Sequence, residues 1–254
     1  MGVKRQIAIV IIGMLLIGFL PDLEGQAMPT SLTRKYQRDA ARLTLRLSGS
    51  EDELRYASVT LPSREVNRIF EMLKAAYEQL PAVQNLSKCH IHTSSFPPID
   101  QLQVIYRKDA PWARSINQGL MQIDHPVINE LLTSYNLVID RVNRWTESEN
   151  ALTIRARKPM NIMALGNEFQ SIQGVTGVDV REGLLQANDI EIAPTARGYE
   201  FRYILRFSGV NSGEHYWRVE VTQQMKATLV KEGGDPIPEW VRCLLEEPVS
   251  VSTW

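Results

Sequence analysis

Residues that carry chemistry are scarce in this chain. Its 254 residues include two cysteines and four histidines. There is no Gly-x-Ser-x-Gly elbow, no His-Glu-x-x-His helix, no phosphate-binding glycine loop and no Cys-x-x-Cys pair. Those absences remove the local signatures of α/β-hydrolases, zincins, P-loop enzymes and dithiol sites. A serine triad assembles in space and leaves no such mark, but nothing here points to one. A charge imbalance is missing too. Lys and Arg number 28 against 29 Asp and Glu, a net −1, so no strong field draws nucleic acid or an anionic membrane surface. There is no low-complexity tract. What remains is an ordinary globular composition, 44% hydrophobic and 22% charged, enough for one large or two small domains.

Only one long apolar run occurs, IAIVIIGMLLIGFL at 7–20, behind Lys4 and Arg5. Gly25 and Ala27 follow as small residues at the −3 and −1 positions of a cut. That order is a secretory signal peptide, residues 1–27. A spanning helix needs about 20 apolar residues, so the run is short for one. Membrane attachment is expected only if the segment stays uncleaved. Removing it leaves the net charge at −1. In an exported chain Cys89 and Cys243 can pair as a disulfide; the alternative is two buried free thiols.

Periodicity divides the rest. Residues 28–40 read as a polar, mobile lead-in. Leu43, Leu45 and Leu47 alternate with polar neighbours, which predicts a strand. A turn at 48–53 and a return strand at 54–63 complete a hairpin. Val66, Ile69, Phe70, Leu73, Tyr77 and Leu80 recur at spacings of three and four, a helix over 64–80 stopped by Pro81. CHIHTS, 89–94, reads as a short strand. From 102 the pattern is strand 102–108, helix 126–136, strand 137–145, strand 151–158, a helix capped by Asn161 and closed by Gly174, then strand 175–182. The order β-α-β-β-α-β is that of ferredoxin-like domains. The final third, 183–254, reads as an antiparallel extension in which Tyr199, Phe201, Tyr203, Leu205 and Phe207 share one strand face and meet Trp217, Val219 and Val221. Residues 240–247 read as a short helix. The expected fold is therefore α+β: an N-terminal β-hairpin–helix section at 28–101, a ferredoxin-like unit at 102–182 and a C-terminal antiparallel β extension.

LLTSYNLVID, the following hairpin, and MALGNEFQSIQGVTGVDV make residues 102–182 similar to the propeptide and inhibitor modules of subtilisin-like proteases. The resemblance covers about a third of the chain. It implies a ferredoxin-like sheet that binds a protease, with a C-terminal tail entering its active site. This chain departs from that pattern by the insertion DAPWARSINQGLMQID and by continuing past the last strand.

Three groups of residues are candidates for a site. His90 and His92, two apart on a strand, share a face and lie about 6.6 Å apart along its axis, close enough to reach one metal; Cys89 then faces away. A third ligand would come from Asp124, His125, Glu214 or His215. Glu214, His215 and Tyr216 open a strand after a loop and suit a polar ligand. Asp124-His125-Pro126 reads as helix-start chemistry, with Pro126 in the first turn. Trp112 reads as packed beneath its loop. The expected function is an exported, non-catalytic binding or interaction protein for an unknown protein or small-molecule ligand, with protease inhibition as a sub-case, no cofactor and no nucleic-acid partner. The alternative is a metal-dependent hydrolase using His90 and His92.

Overall fold

A computed structural model describes residues 27–120, 123–180, 188–208, 212–241 and 243. The signal-type segment, apart from Ala27, lies outside the described residues, as does most of the expected 240–247 helix. No helix among the described residues is long and apolar enough to cross a membrane.

The chain is α+β, with seven α-helices and two four-stranded antiparallel sheets among the described residues. The N-terminal hairpin is the main correction. Residues 30–48 form one helix, α1 (Thr30–Ser48), and a short helix, α2 (Glu51–Arg55), follows. The polar lead-in is thus the first half of α1, with Leu32 and Tyr36 buried. The physical reason is burial on two faces. Leu32, Tyr36, Ala40 and Leu43 enter one core, while Ala41 and Leu45 enter another. A helix covered on both sides loses the single-stripe signature, and what remains over 43–47 imitates strand alternation. Ser50 and Glu53 then form a capping box that starts α2, satisfying two amides that would otherwise lack acceptors.

The expected third-turn periodicity becomes α3 (Ser63–Gln79), in which Ile69, Met72, Leu73 and Ala76 are fully buried. Each large apolar side chain so buried contributes roughly 2 kcal/mol relative to exposure. Pro81 ends α3 and opens α4 (Pro81–Lys88). The CHIHTS strand does not form. Cys89 and His90 make a turn, with His90 at φ 53°, and 91–94 run on as irregular chain.

The first sheet holds β1 (Gln101–Arg107), β2 (Leu137–Arg144), β3 (Glu149–Ala156) and β4 (Val175–Asp179), in the order β2-β3-β1-β4. Helix α5 (Arg114–Asn117) sits in the insertion; α6 (Pro126–Ser134) connects β1 to β2, and α7 (Ile162–Gln170) connects β3 to β4. Both connecting helices contribute to one core with Leu102, Val104, Tyr106, Leu152 and Ile154.

The second sheet runs in sequence order: β5 (Asp189–Pro194), β6 (Gly198–Phe207), β7 (Gly213–Thr222) and β8 (Ala227–Gly234). Its inner face pairs Phe201 with Val219 and Tyr203 with Trp217, as the alternation predicts. The helices that cover this face come from the other end of the chain. Leu43, Ile69, Met72, Leu73 and Val83 share a core with Phe201, Tyr203 and Val219. Helices α1, α3 and α4 therefore share one composite core with the β5–β8 sheet, and the β1–β4 unit lies between them in the chain. The Cys89–Cys243 disulfide, with Cα atoms 4.9 Å apart, fastens the end of α4 to the C-terminal segment of this composite unit. A third, smaller cluster of Ala41, Leu45, Leu54, Leu61, Ile99 and Met163 joins α1 and α2 to α7.

Candidate functional site

The strand that would set His90 and His92 on one face does not form. His90 is exposed at its positive-φ turn, so the shared-face argument that paired it with His92 no longer applies. His92 instead points Nδ1 at Asp39 Oδ2, 2.7 Å away. Asp39 is 1% exposed on α1. Its other oxygen accepts from the Thr93 amide at 2.9 Å and the Thr93 hydroxyl at 2.6 Å. The Tyr36 ring meets His92 edge-on at 5.7 Å. Burial raises the Tyr36 phenol well above its ordinary pKa, with Tyr203 and Asp39 adding to the rise. Tyr203 is raised by burial first and then by the Asp39 charge. Neither the Tyr203 hydroxyl nor His92 Nε2 has a hydrogen-bond partner among the described residues. The carboxylate–imidazole half of a relay is thus present, with no hydroxyl or thiol bonded to Nε2. Among the described residues no group of three or more His, Cys, Asp or Glu is placed to hold a metal ion.

Glu214, His215 and Tyr216 open β7 as expected, but the sheet engages all three. Glu214 accepts from Arg202 at 2.7 Å and Arg206 at 3.2 Å. His215 Nδ1 lies 2.7 Å from the Asp235 carbonyl oxygen and Nε2 lies 3.2 Å from Glu232. The Arg202 guanidinium stands 4.6 Å over the Tyr216 ring. Arg218 and Glu200 add a two-bond pair at 2.8 Å each. Together these contacts form a cross-strand charged ladder whose charges answer one another. His125 caps α6 by accepting from the Ile128 amide at 3.4 Å. Trp112 is buried and donates Nε1 to the Gln173 carbonyl at 2.8 Å.

A groove of about 480 Å³ lies elsewhere, where three distant stretches converge. They are the approach to α3 with its first turns (60–67), the end of α6 (134–136) and the loop after β3 (158–160). Its floor is apolar: Leu61 from the small cluster, Met160 from the β1–β4 core, and Val66, which packs against the composite core. The groove therefore follows the seam between the two units. Its rim is polar. Ser63 begins α3 without a side-chain cap, and Asn136 holds φ 52° as the chain leaves α6 for β2. Burial and then the Glu168 charge raise the Tyr135 phenol, so it remains a neutral donor. Among the described lining residues the only charged side chain is Lys158.

The sequence reading missed Asp39 and this groove. Asp39 sits in a polar stretch whose burial no local pattern announces, and the groove gathers residues as far apart as Thr60 and Met160. Comparison of the chain with protein-family models, curated proteins and solved structures finds no significant match.

Proposed function

We propose that this chain is an exported, non-catalytic binding protein whose ligand occupies the groove between α3, the end of α6 and the loop after β3. One observation carries the reading: an apolar-floored, polar-rimmed groove of about 480 Å³ at the seam of two separately cored units. Small-ligand sites favour such junctions, with a few polar groups fixing orientation. The disulfide supports export, since such bonds persist in oxidising compartments, and the signal-type segment supports it independently. The strand order β2-β3-β1-β4, with α6 and α7 as crossovers, supports a ferredoxin-like reading of the inserted unit. Protease inhibition is the more specific form of the proposal and follows the subtilisin-propeptide resemblance.

A small-molecule thermal-shift screen of the oxidised chain tests the site. Asn67→Trp places an indole in the groove from an exposed helical position and should abolish the shift produced by any true ligand. Hits that shift wild type and Asn67→Trp equally would overturn the assignment. N-terminal sequencing of exported material should begin at Met28. Inhibition of subtilisin-like proteases by the intact chain is required by the more specific form.

A metal-dependent hydrolase using His90 and His92 is the second reading, and the Asp39 carboxylate beside His92 is the observation in its favour. Stoichiometric metal in untagged protein, lost on His90→Ala, is its required result.

A further inference from the structure

The groove has a charge bias. Of its eleven described lining residues one is charged, Lys158, and none is acidic. Some cations elsewhere are answered, Arg46 by Asp189, Arg202 by Glu191 and Glu214, and Arg218 by Glu200, while exposed ones such as Arg34, Arg64 and Arg141 make no ion pair among the described residues. Lys158 has no ion-pair or hydrogen-bond partner among the described residues. Tyr135 adds a protonated phenol, while Ser63 and Asn67 add neutral groups able to donate.

We propose that the groove takes an organic monocarboxylate with an apolar body. This rests on the groove being the ligand site. Lys158 is the counter-ion for the head, and Leu61, Val66 and Met160 receive the hydrocarbon. An ammonium is a compact point charge with three donors, whereas bidentate oxyanion recognition calls for arginine forks. With one lysine and no arginine in the lining, a small single head matches better than a polyphosphate. The positive end of the α3 dipole has the same sign but adds only a fraction of a charge. The volume lies within the range of about 300–1,000 Å³ usual for small-ligand sites.

Calorimetric titration of the oxidised chain with sodium octanoate, octan-1-ol and octylammonium chloride at low salt tests the assignment. Octanoate is expected to saturate one site roughly tenfold more tightly than the alcohol, with octylammonium weaker than both. Lys158→Gln should reduce octanoate to the level of the alcohol, and Asn67→Trp should remove binding of all three. Equal binding of octanoate and octan-1-ol, abolished in both by Asn67→Trp, overturns the carboxylate assignment and leaves the groove as the site. A tenfold preference that survives Lys158→Gln overturns the role of Lys158. No saturable binding, or binding unaffected by Asn67→Trp, overturns the groove reading itself.

Discussion

His92 Nδ1 and Asp39 Oδ2 stand 2.7 Å apart beneath α1, and Thr93 closes on the second carboxylate oxygen. This contact joins residues 53 positions apart and fixes the irregular segment after α4 against the first helix. Two positions before the end of α1 the same segment is held again. Arg46 donates to the Ser94 hydroxyl at 2.7 Å, the Phe96 carbonyl at 2.8 Å and the Ile190 carbonyl at 2.7 Å. Asp39→Ala strands a buried amide, a hydroxyl and an imidazole together. The expected loss is about 3 kcal/mol, since removing one member of a buried charged set leaves the others unsatisfied. Asp39→Asn keeps one acceptor and should lose less. Urea denaturation measures both; an Asp39→Ala midpoint equal to wild type would refute the role assigned to this contact.

Tyr203 gives the opposite sign at neutral pH. Its hydroxyl is buried with no partner among the described residues. Removing an unsatisfied polar group from a core relieves a desolvation penalty, so Tyr203→Phe should stabilise the protein by about 1 kcal/mol. The pH dependence follows from the raised pKa values of Tyr203 and Tyr36. In the unfolded chain these phenols ionise near pH 10; in the fold they remain protonated. Their contribution is fully present below about pH 10 and is lost as pH rises from there toward the folded values, at up to about 1.4 kcal/mol per pH unit for each phenol. Tyr203→Phe should shallow that alkaline limb. Stability curves of wild type and variant that fall in parallel from pH 9.5 to 11.5 would contradict the linkage.

The elements that sequence periodicity located best are those buried on one face. Helix α3 and strands β1 and β7 each bury a single side, and each appears close to where spacing put it. Helix α1 serves two cores, so its Leu43–Leu45–Leu47 run gave a strand-like signal. His90 and His92 were read as strand neighbours because two-residue spacing says nothing about a left-handed residue between a helix and a loop. Glu214, His215 and Tyr216 fell on the expected strand, yet their ladder partners, Arg202, Arg206 and Glu232, occupy the neighbouring strands β6 and β8. Along the chain Lys158 only extends a basic run with Arg155 and Arg157. Its relation to Ser63 and Tyr135 is tertiary, and no spacing along the chain encodes it.

Two glycines separate conformational cost from steric cost. Gly174 turns the chain into β4 at φ +92°, and a Cβ there would lie 2.7 Å from the Ala110 Cβ. Gly119 has φ +84° with nothing within 4 Å of its Cβ position among the described residues. Both lose glycine's freedom on substitution, at roughly 1 kcal/mol. Gly174→Ala must also displace the Ala110–Trp112 turn, which should add about 1–3 kcal/mol. Thermal melts should therefore rank Gly174→Ala well below Gly119→Ala. Equal melting temperatures would show that the turn yields freely.

The Cys89–Cys243 bond closes a loop that contains the whole β1–β4 unit, 154 positions from end to end. Among its described residues the C-terminal segment has no other covalent tie. Ile237 and Val241 pack partly buried against the composite core, and Trp240 meets Phe207 at 6.3 Å while remaining 56% exposed. Chain-entropy arguments assign a crosslink of this span about 4–5 kcal/mol, and measured values are commonly about 2–4. Reduction, or Cys243→Ser, should therefore lower the urea midpoint and alter Trp240 fluorescence before the sheet itself unfolds, because β8 ends at Gly234 and does not depend on the segment for its pairing with β7. The Cys89→Ser, Cys243→Ser double variant should be insensitive to reductant. Oxidised and reduced wild type with the same midpoint would mean that the segment, rather than the bond, holds itself in place.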